Sequence, residues 1–246
     1  MSEKDYFGAA IPCINSYRPQ EKWLFSCVNC NLEQQAQAVF SKLFPNCMSN
    51  AVPINTIVDV RDGTHDSPKP RTMGRYLITS KNLLPYSVNK FDANIISETD
   101  FQHINERSKV EYGDILLSMI GTVGIVSFVS ENNIDFAIKN VGLFRTSQSE
   151  RLRLYILFYL KSVQVYNHIE QHLAGSTQKY ISLSELRNLP IYIPDKQTIS
   201  SFNDLVMPMV NRITINVKEN QRLTILRDTL LPKLMSGEID VSKVEL

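Results

Sequence analysis

The chain has 246 residues, of which 43% are hydrophobic and 21% charged, and a net formal charge of +1. That is enough apolar material for a packed core, which excludes wholesale disorder, and too little net charge for a global basic field, so any nucleic-acid surface must be local. No run approaches the roughly 18 apolar residues of a membrane span, and the start lacks a signal-peptide apolar region, so we expect a soluble, cytoplasmic protein with no membrane partner.

Residues 1–30 show no sustained period, and Pro12 and Pro19 suggest an irregular lead-in. The four cysteines are Cys13, Cys27, Cys30 and Cys47. Cys27 and Cys30 form a C-x-x-C pair, but the other two do not supply matched spacing for zinc, so all four are read as ordinary thiols. From Asn31 a helical pattern begins, with Leu32, Ala36, Val39, Phe40 and Leu43 on one face. Asn31 and Gln34 have the spacing of a capping box, which predicts a short helix over 31–44 that Pro45 ends.

The texture over 51–194 is that of strands and turns. Strands are predicted over 52–60, 75–79, 115–120, 125–129, 136–138, 141–144 and 189–193, and a helix over 151–172 broken at Gly175. Short strands with a few helices and no regular alternation indicate an α+β domain. The last stretch, 195–246, is dominated by one long amphipathic helix with an apolar stripe through Phe202, Val206, Met209, Ile213, Val217, Leu223, Leu226 and Leu230. Its length of roughly 50 to 60 Å at about 1.5 Å per residue exceeds an ordinary globular helix and calls for a partner. Pro208 is expected to kink or break it near Asp204, and Asn216 and Asn220 to form a polar layer that fixes register.

No catalytic centre is visible. The phosphate loop, the serine elbow and the H-E-x-x-H zinc motif are all missing. Gly121 and Gly124 sit between two strands and read as hairpin glycines. His168 and His172 stand at i, i+4 on a helix, but without a third ligand they read as surface histidines. The expectation is a non-enzyme with no cofactor and no metal. What the sequence does offer is a set of polar loops: Thr64, His65, Ser67, Lys69, Arg71 and Arg75; Lys81 and Asn82; Ser118 and Thr122; Lys139 and Asn140; and Ser176, Thr177, Gln178 and Lys179. Hydroxyls, lysines and arginines hold phosphate oxygens, and Asn, Gln, Arg and Lys read base edges. Solvated turns have the same composition.

Four segments carry a more specific signal: DGTHDSPK at 62–69; GDILLS at 113–118 with GTVG at 121–124; GSTQ at 175–178 with Ile181, Ser182, Leu189 and Pro190; and residues 223–239, ending in LLPKLMSGEI. In this order and at these separations the chain resembles the specificity subunit of type I restriction–modification systems. The resemblance implies a mixed α/β target recognition domain over 51–194 and a long spacer helix that forms an antiparallel helix pair or coiled coil. It also implies no catalytic activity, with double-stranded DNA, adenine-methylating modification subunits and a motor-nuclease restriction subunit as partners. Full members carry two recognition domains and two long helices. This chain has one of each, and residues 31–44 resemble the end of the central helix that precedes a second recognition domain. A half-size subunit acting as a homodimer is therefore expected. A silent cassette and a non-DNA interaction module are the alternatives.

Overall fold

The computed structural model describes residues 23–238. The expected irregular lead-in lies outside the described residues up to position 22 and is corrected beyond it. Helix α1 spans Trp23–Leu43, so Asn31 lies inside a helix rather than at its cap. Its exposed side chain accepts a hydrogen bond from Gln35, one turn on, at 2.6 Å. Burial of Ala36, Phe40 and Phe44 decides where this helix lies, and that outweighs the local capping signal.

A four-stranded antiparallel sheet has the order β2–β10–β7–β8: Val60–Asp62, Val141–Phe144, Ile115–Ser118 and Val126–Phe128. Every residue of β7, β8 and β10 is buried. The sheet is thus covered on both faces, which is why ILLS and VGLF read as unbroken apolar runs without alternation. A second sheet of three strands has β3 (Arg75–Ile78) at its centre, antiparallel to β6 (Asn94–Ile96) and parallel to β9 (Phe136–Ile138). Two small pairs complete the strands: β1 (Val52–Pro53) with β11 (Pro190–Ile191), and β4 (Leu83–Leu84) with β5 (Ser87–Val88). The expected strand over 52–60 is therefore cut by a 3-10 turn at Ile54–Thr56.

Helix α2 (Glu98–Ser108) was not expected, because it buries little beyond Phe101 and Ile104. Ser97 caps it by accepting from the Asp100 N–H at 3.1 Å. The expected helix over 151–172 is two: α3 (Glu150–Leu160) and α4 (Val163–Gln171). Ser162 starts the second by accepting from the Val165 N–H. Lys161 at the joint is held by Glu33 of α1 and lies 4.2 Å from the Tyr86 ring centroid, whose phenol burial pushes up to about 12. Residues Leu152 to Leu160 of α3 are all buried, so this helix is the centre of the core. Its Tyr155 and Tyr159 hydroxyls donate to the carbonyls of Tyr192 and Pro190, each at 2.6 Å, and fasten β11. The short α5 (Leu183–Arg187) follows, then the long α6 (Lys196–Met235).

Asp195 caps α6 by accepting from the N–H groups of Gln197 and Thr198, and the Thr198 hydroxyl, with those N–H groups behind it, holds its carboxyl below the usual carboxylate range. Pro208 does not break the helix, contrary to the sequence expectation. It lies on the exposed side, where the carbonyl it leaves free stays open to water, while Val206 and Val210 beside it are fixed in the core.

The first half of α6 is not without a partner. Ile199, Phe202, Val206, Val210 and Ile213 are buried, packing with α1 and α3 in one core, and Met209 and Val217 lie at its margin. Phe202 meets the rings of Phe40, Phe44 and Phe158 at 5.9, 5.4 and 6.0 Å. Asn216 donates to Asn29 of α1 at 2.7 Å. Because 216 faces 29 while 202 faces 40 and 44, the two helices run antiparallel. The polar layer expected around Asn216 thus joins α6 to α1 of the same chain. From Gln221 to Met235 the helix is exposed on all sides, and Leu223, Leu226, Leu230 and Leu234 carry the stripe into solvent.

Candidate nucleic-acid interface

The loops of interest leave one end of the four-stranded sheet. The β2–β10 register pairs Asp62 with Gly142, the β10–β7 register pairs Val141 with Ser118, and the β7–β8 register pairs Leu117 with Val126. The chain therefore leaves β2, enters β10, and turns between β7 and β8 all at the same end. This end gathers residues 63–67, 139–140 and 119–125. Gly121 and Gly124 have positive φ of 80° and 91°, as the predicted hairpin requires. The α4–α5 loop joins the same group: Tyr180 bridges Ile120, and the Gly121 N–H donates to the Lys179 carbonyl at 3.0 Å.

Two clusters result. In the first, Thr64 bridges Lys139, the Lys139 ammonium donates to the Ser67 hydroxyl at 2.5 Å, and His65 Nδ1 lies 2.7 Å from Asn140 Oδ1. Behind His65, its Nε2 lies 2.9 Å from the buried Asp62 carboxylate, which also pairs with Arg107 of α2. Both imidazole nitrogens thus face oxygens, satisfied by an imidazolium or by Asn140 turning its amide nitrogen inward. A Cβ at Gly63 would lie 2.3 Å from the Ile138 carbonyl oxygen, so only glycine lets this loop start so close to β9. Lys81 joins from the neighbouring sheet, since Ser80 donates to the Asn140 carbonyl at 3.4 Å. In the second cluster Thr122 sits beside the exposed Ser176, Thr177, Gln178 and Lys179. Gly175, at φ 90°, gives that loop its turn.

Three of the sequence candidates are placed otherwise. Asn82 is buried and spent on structure: it accepts from the Thr79 N–H and hydroxyl and donates to the Asn89 carbonyl. Ser118 is buried, donating to the Thr122 carbonyl and accepting from the Ile125 N–H, so it shapes the hairpin rather than facing a ligand. Arg75 lies at the opposite end of β3, roughly 10 Å from Ile78 at about 3.3 Å per residue. There Glu98 neutralises it at 2.8 Å, and it covers the Phe101 ring. Lys69 and Arg71 are exposed on the 63–74 loop with no ion pair among the described residues. Arg107 and Tyr180 escaped the sequence reading, and Asp62 entered it only as the first residue of the 62–69 segment, not as a site residue. Only the S-x-x-D cap at Ser97 hinted at the helix that delivers Arg107.

The fold is thus a mixed α/β domain with polar and basic loops at one sheet end, followed by a long helix whose first half packs antiparallel on α1. The sequence matches the family described as type I restriction modification DNA specificity domain over residues 66–224, well over half of the chain, and the chain belongs to that family. It is 37% identical over 70 residues to the type I restriction enzyme MjaIX specificity subunit of Methanocaldococcus jannaschii, covering 28% of this chain and 16% of that protein. It is 29% identical over 127 residues to the HindI specificity subunit of Haemophilus influenzae, covering 51% of this chain and 27% of that one. Among solved structures, the type I restriction–modification S subunit from M. genitalium superposes with a TM-score of 0.52 at 13% identity, covering 85% of this chain and 55% of that one. The HsdS subunit from Thermoanaerobacter tengcongensis gives 0.51 at 14%, covering 88% and 53%. The matched region spans little more than half the length of these solved subunits, and less of the curated relatives.

Proposed function

We propose that this chain is the non-catalytic DNA-recognition subunit of a type I restriction–modification complex in the cytoplasm. It reads duplex DNA with the loops at the end of the four-stranded sheet and directs partner modification and motor-nuclease subunits to the site. The observation that carries this is the convergence of Thr64, His65, Ser67, Lys139, Asn140, Thr122, Gln178 and Lys179 on that one end. These are phosphate-holding and base-reading groups on short loops fixed by strand register. The local basic character that a net charge of +1 left to be found is supplied by Lys69, Lys81, Lys139 and Lys179, the last shared with Glu170 at 3.8 Å, while Arg71, whose N–H donates to the Ile95 carbonyl, lies towards the Arg75 end. The exposed leucines of distal α6 support a second copy of this chain as the surface that covers them. Two copies related by a two-fold axis would read the same half-site in inverted orientation.

Duplex binding measured over a salt series tests the reading. Lys139→Ala and Lys179→Ala each weaken binding to all sequences and reduce the salt slope by about 0.9 per lost phosphate contact. Gln178→Ala instead changes which duplexes are selected from a random pool. Unchanged slopes together with unchanged selection would put the DNA on another face.

A further inference from the structure

The α4–α5 connection carries the polar loop 173–182, and both of its feet present metal-ligand side chains. His168 and His172 stand one turn apart at the end of α4, their ring centroids 4.2 Å apart and their planes 20° from parallel. Glu185, in the first turn of α5, is the third group that the sequence did not show. The ligand atoms of all three lie within 4.8 Å of one another. His172 Nδ1 donates to the His168 carbonyl oxygen at 2.7 Å, which leaves the lone pair able to ligate on Nε2. This outer hydrogen bond is the arrangement that fixes tautomer and orientation in metal-bound imidazoles. The Glu185 backbone is held by the Ser182 cap at 3.1 Å, while its carboxylate makes no ion pair among the described residues.

We propose that His168, His172 and Glu185 bind one divalent transition-metal ion of the zinc class, tying the end of α4 to α5 across the base of the 173–182 loop. Two imidazoles and one carboxylate form a donor set that zinc accepts, with a fourth position left for water. Bonds of about 2.0 to 2.1 Å in a tetrahedron draw ligand atoms to about 3.3 Å from one another, a closure that rotation of the exposed His172 and half-buried Glu185 side chains supplies. The loop is already pinched higher up, where Ala174 and Tyr180 exchange backbone hydrogen bonds of 2.9 Å. The ion would add a second tie below it and limit the positions open to Ser176–Lys179. Metal binding itself does not depend on the DNA reading; only the consequence for recognition does.

Titration of the full chain with zinc chloride by calorimetry, without DNA, tests this independently of the DNA reading. One ion per chain is expected. His172→Ala and Glu185→Gln, whose side chains are not in the buried core, each weaken its binding by at least about 100-fold, the upper end of the cost of losing an outer-shell partner alone. Cobalt(II) in the same site gives a spectrum without thiolate-to-metal charge transfer, and zinc slows proteolytic cleavage within 173–182. No saturable binding, binding retained in both variants, or a thiolate band from the cysteines would each overturn the proposal.

Discussion

Phe202→Ala lowers the stability of the chain by about 3 to 5 kcal/mol, the range for removing a buried phenylalanine from a core. The side chain is fully buried between Phe40 of α1, Phe44 just beyond that helix and Phe158 of α3, so its loss leaves a cavity where three helices meet. Packing density near that of an organic crystal gives the surrounding rings little freedom to close the gap. Urea unfolding followed by circular dichroism measures the change. A loss under about 1 kcal/mol would mean that proximal α6 is not held by its own chain as described.

Leu226→Lys combined with Leu230→Lys has the opposite profile. Both leucines lie on the exposed distal part of α6, at 50% and 36% exposure, so the intrachain core does not register their loss. Each substitution then changes the unfolding free energy of the monomer by no more than about 0.5 kcal/mol, read at concentrations below those at which the parent chain associates. Self-association is where the effect falls. In a two-fold pair four leucines leave the interface, each worth about 1.5 to 3 kcal/mol, which weakens association by at least about 1000-fold. Sedimentation at micromolar concentration reads this directly: the parent chain is a dimer and the double variant a monomer. A monomeric parent, or a double variant that still dimerises, removes the second copy from the account.

The contrast between these two variants also marks what the sequence could and could not reveal about α6. Its length, its Asp195 start and its stripe were legible, because apolar spacing of three and four residues is a local property. What covers the stripe is a long-range property, and one continuous pattern turned out to have two halves in different surroundings. The N-terminal half belongs to α1, whose start at Trp23 gave no periodic signal strong enough to outweigh the capping pattern at Asn31. Strands β3, β9 and β10 and the glycine hairpin were readable for the same local reasons. Helix α2 was not, since a helix that buries little beyond two apolar side chains leaves almost no stripe.

The candidate interface divides in a similar way. The loops that carry Thr64 to Ser67, Lys139, Asn140 and Gln178 stood out by composition, but their convergence depends on strand pairing that composition does not encode. Asn82 and Ser118 have the residue types of a binding site, and only burial shows that backbone groups already occupy them. Glu185 is the reverse case. It was an unremarked carboxylate on a short helix until the fold brought it to the two histidines.

The strand-end loops are proposed to select a DNA sequence for methylation. Mapping adenine methylation across the genome of a host that co-expresses the chain with partner modification subunits tests it most directly. A new methylated motif with two inverted copies of one half-site, altered by Gln178→Ala, is expected. Genomes without any new motif, from cells in which the complex has assembled, would contradict it.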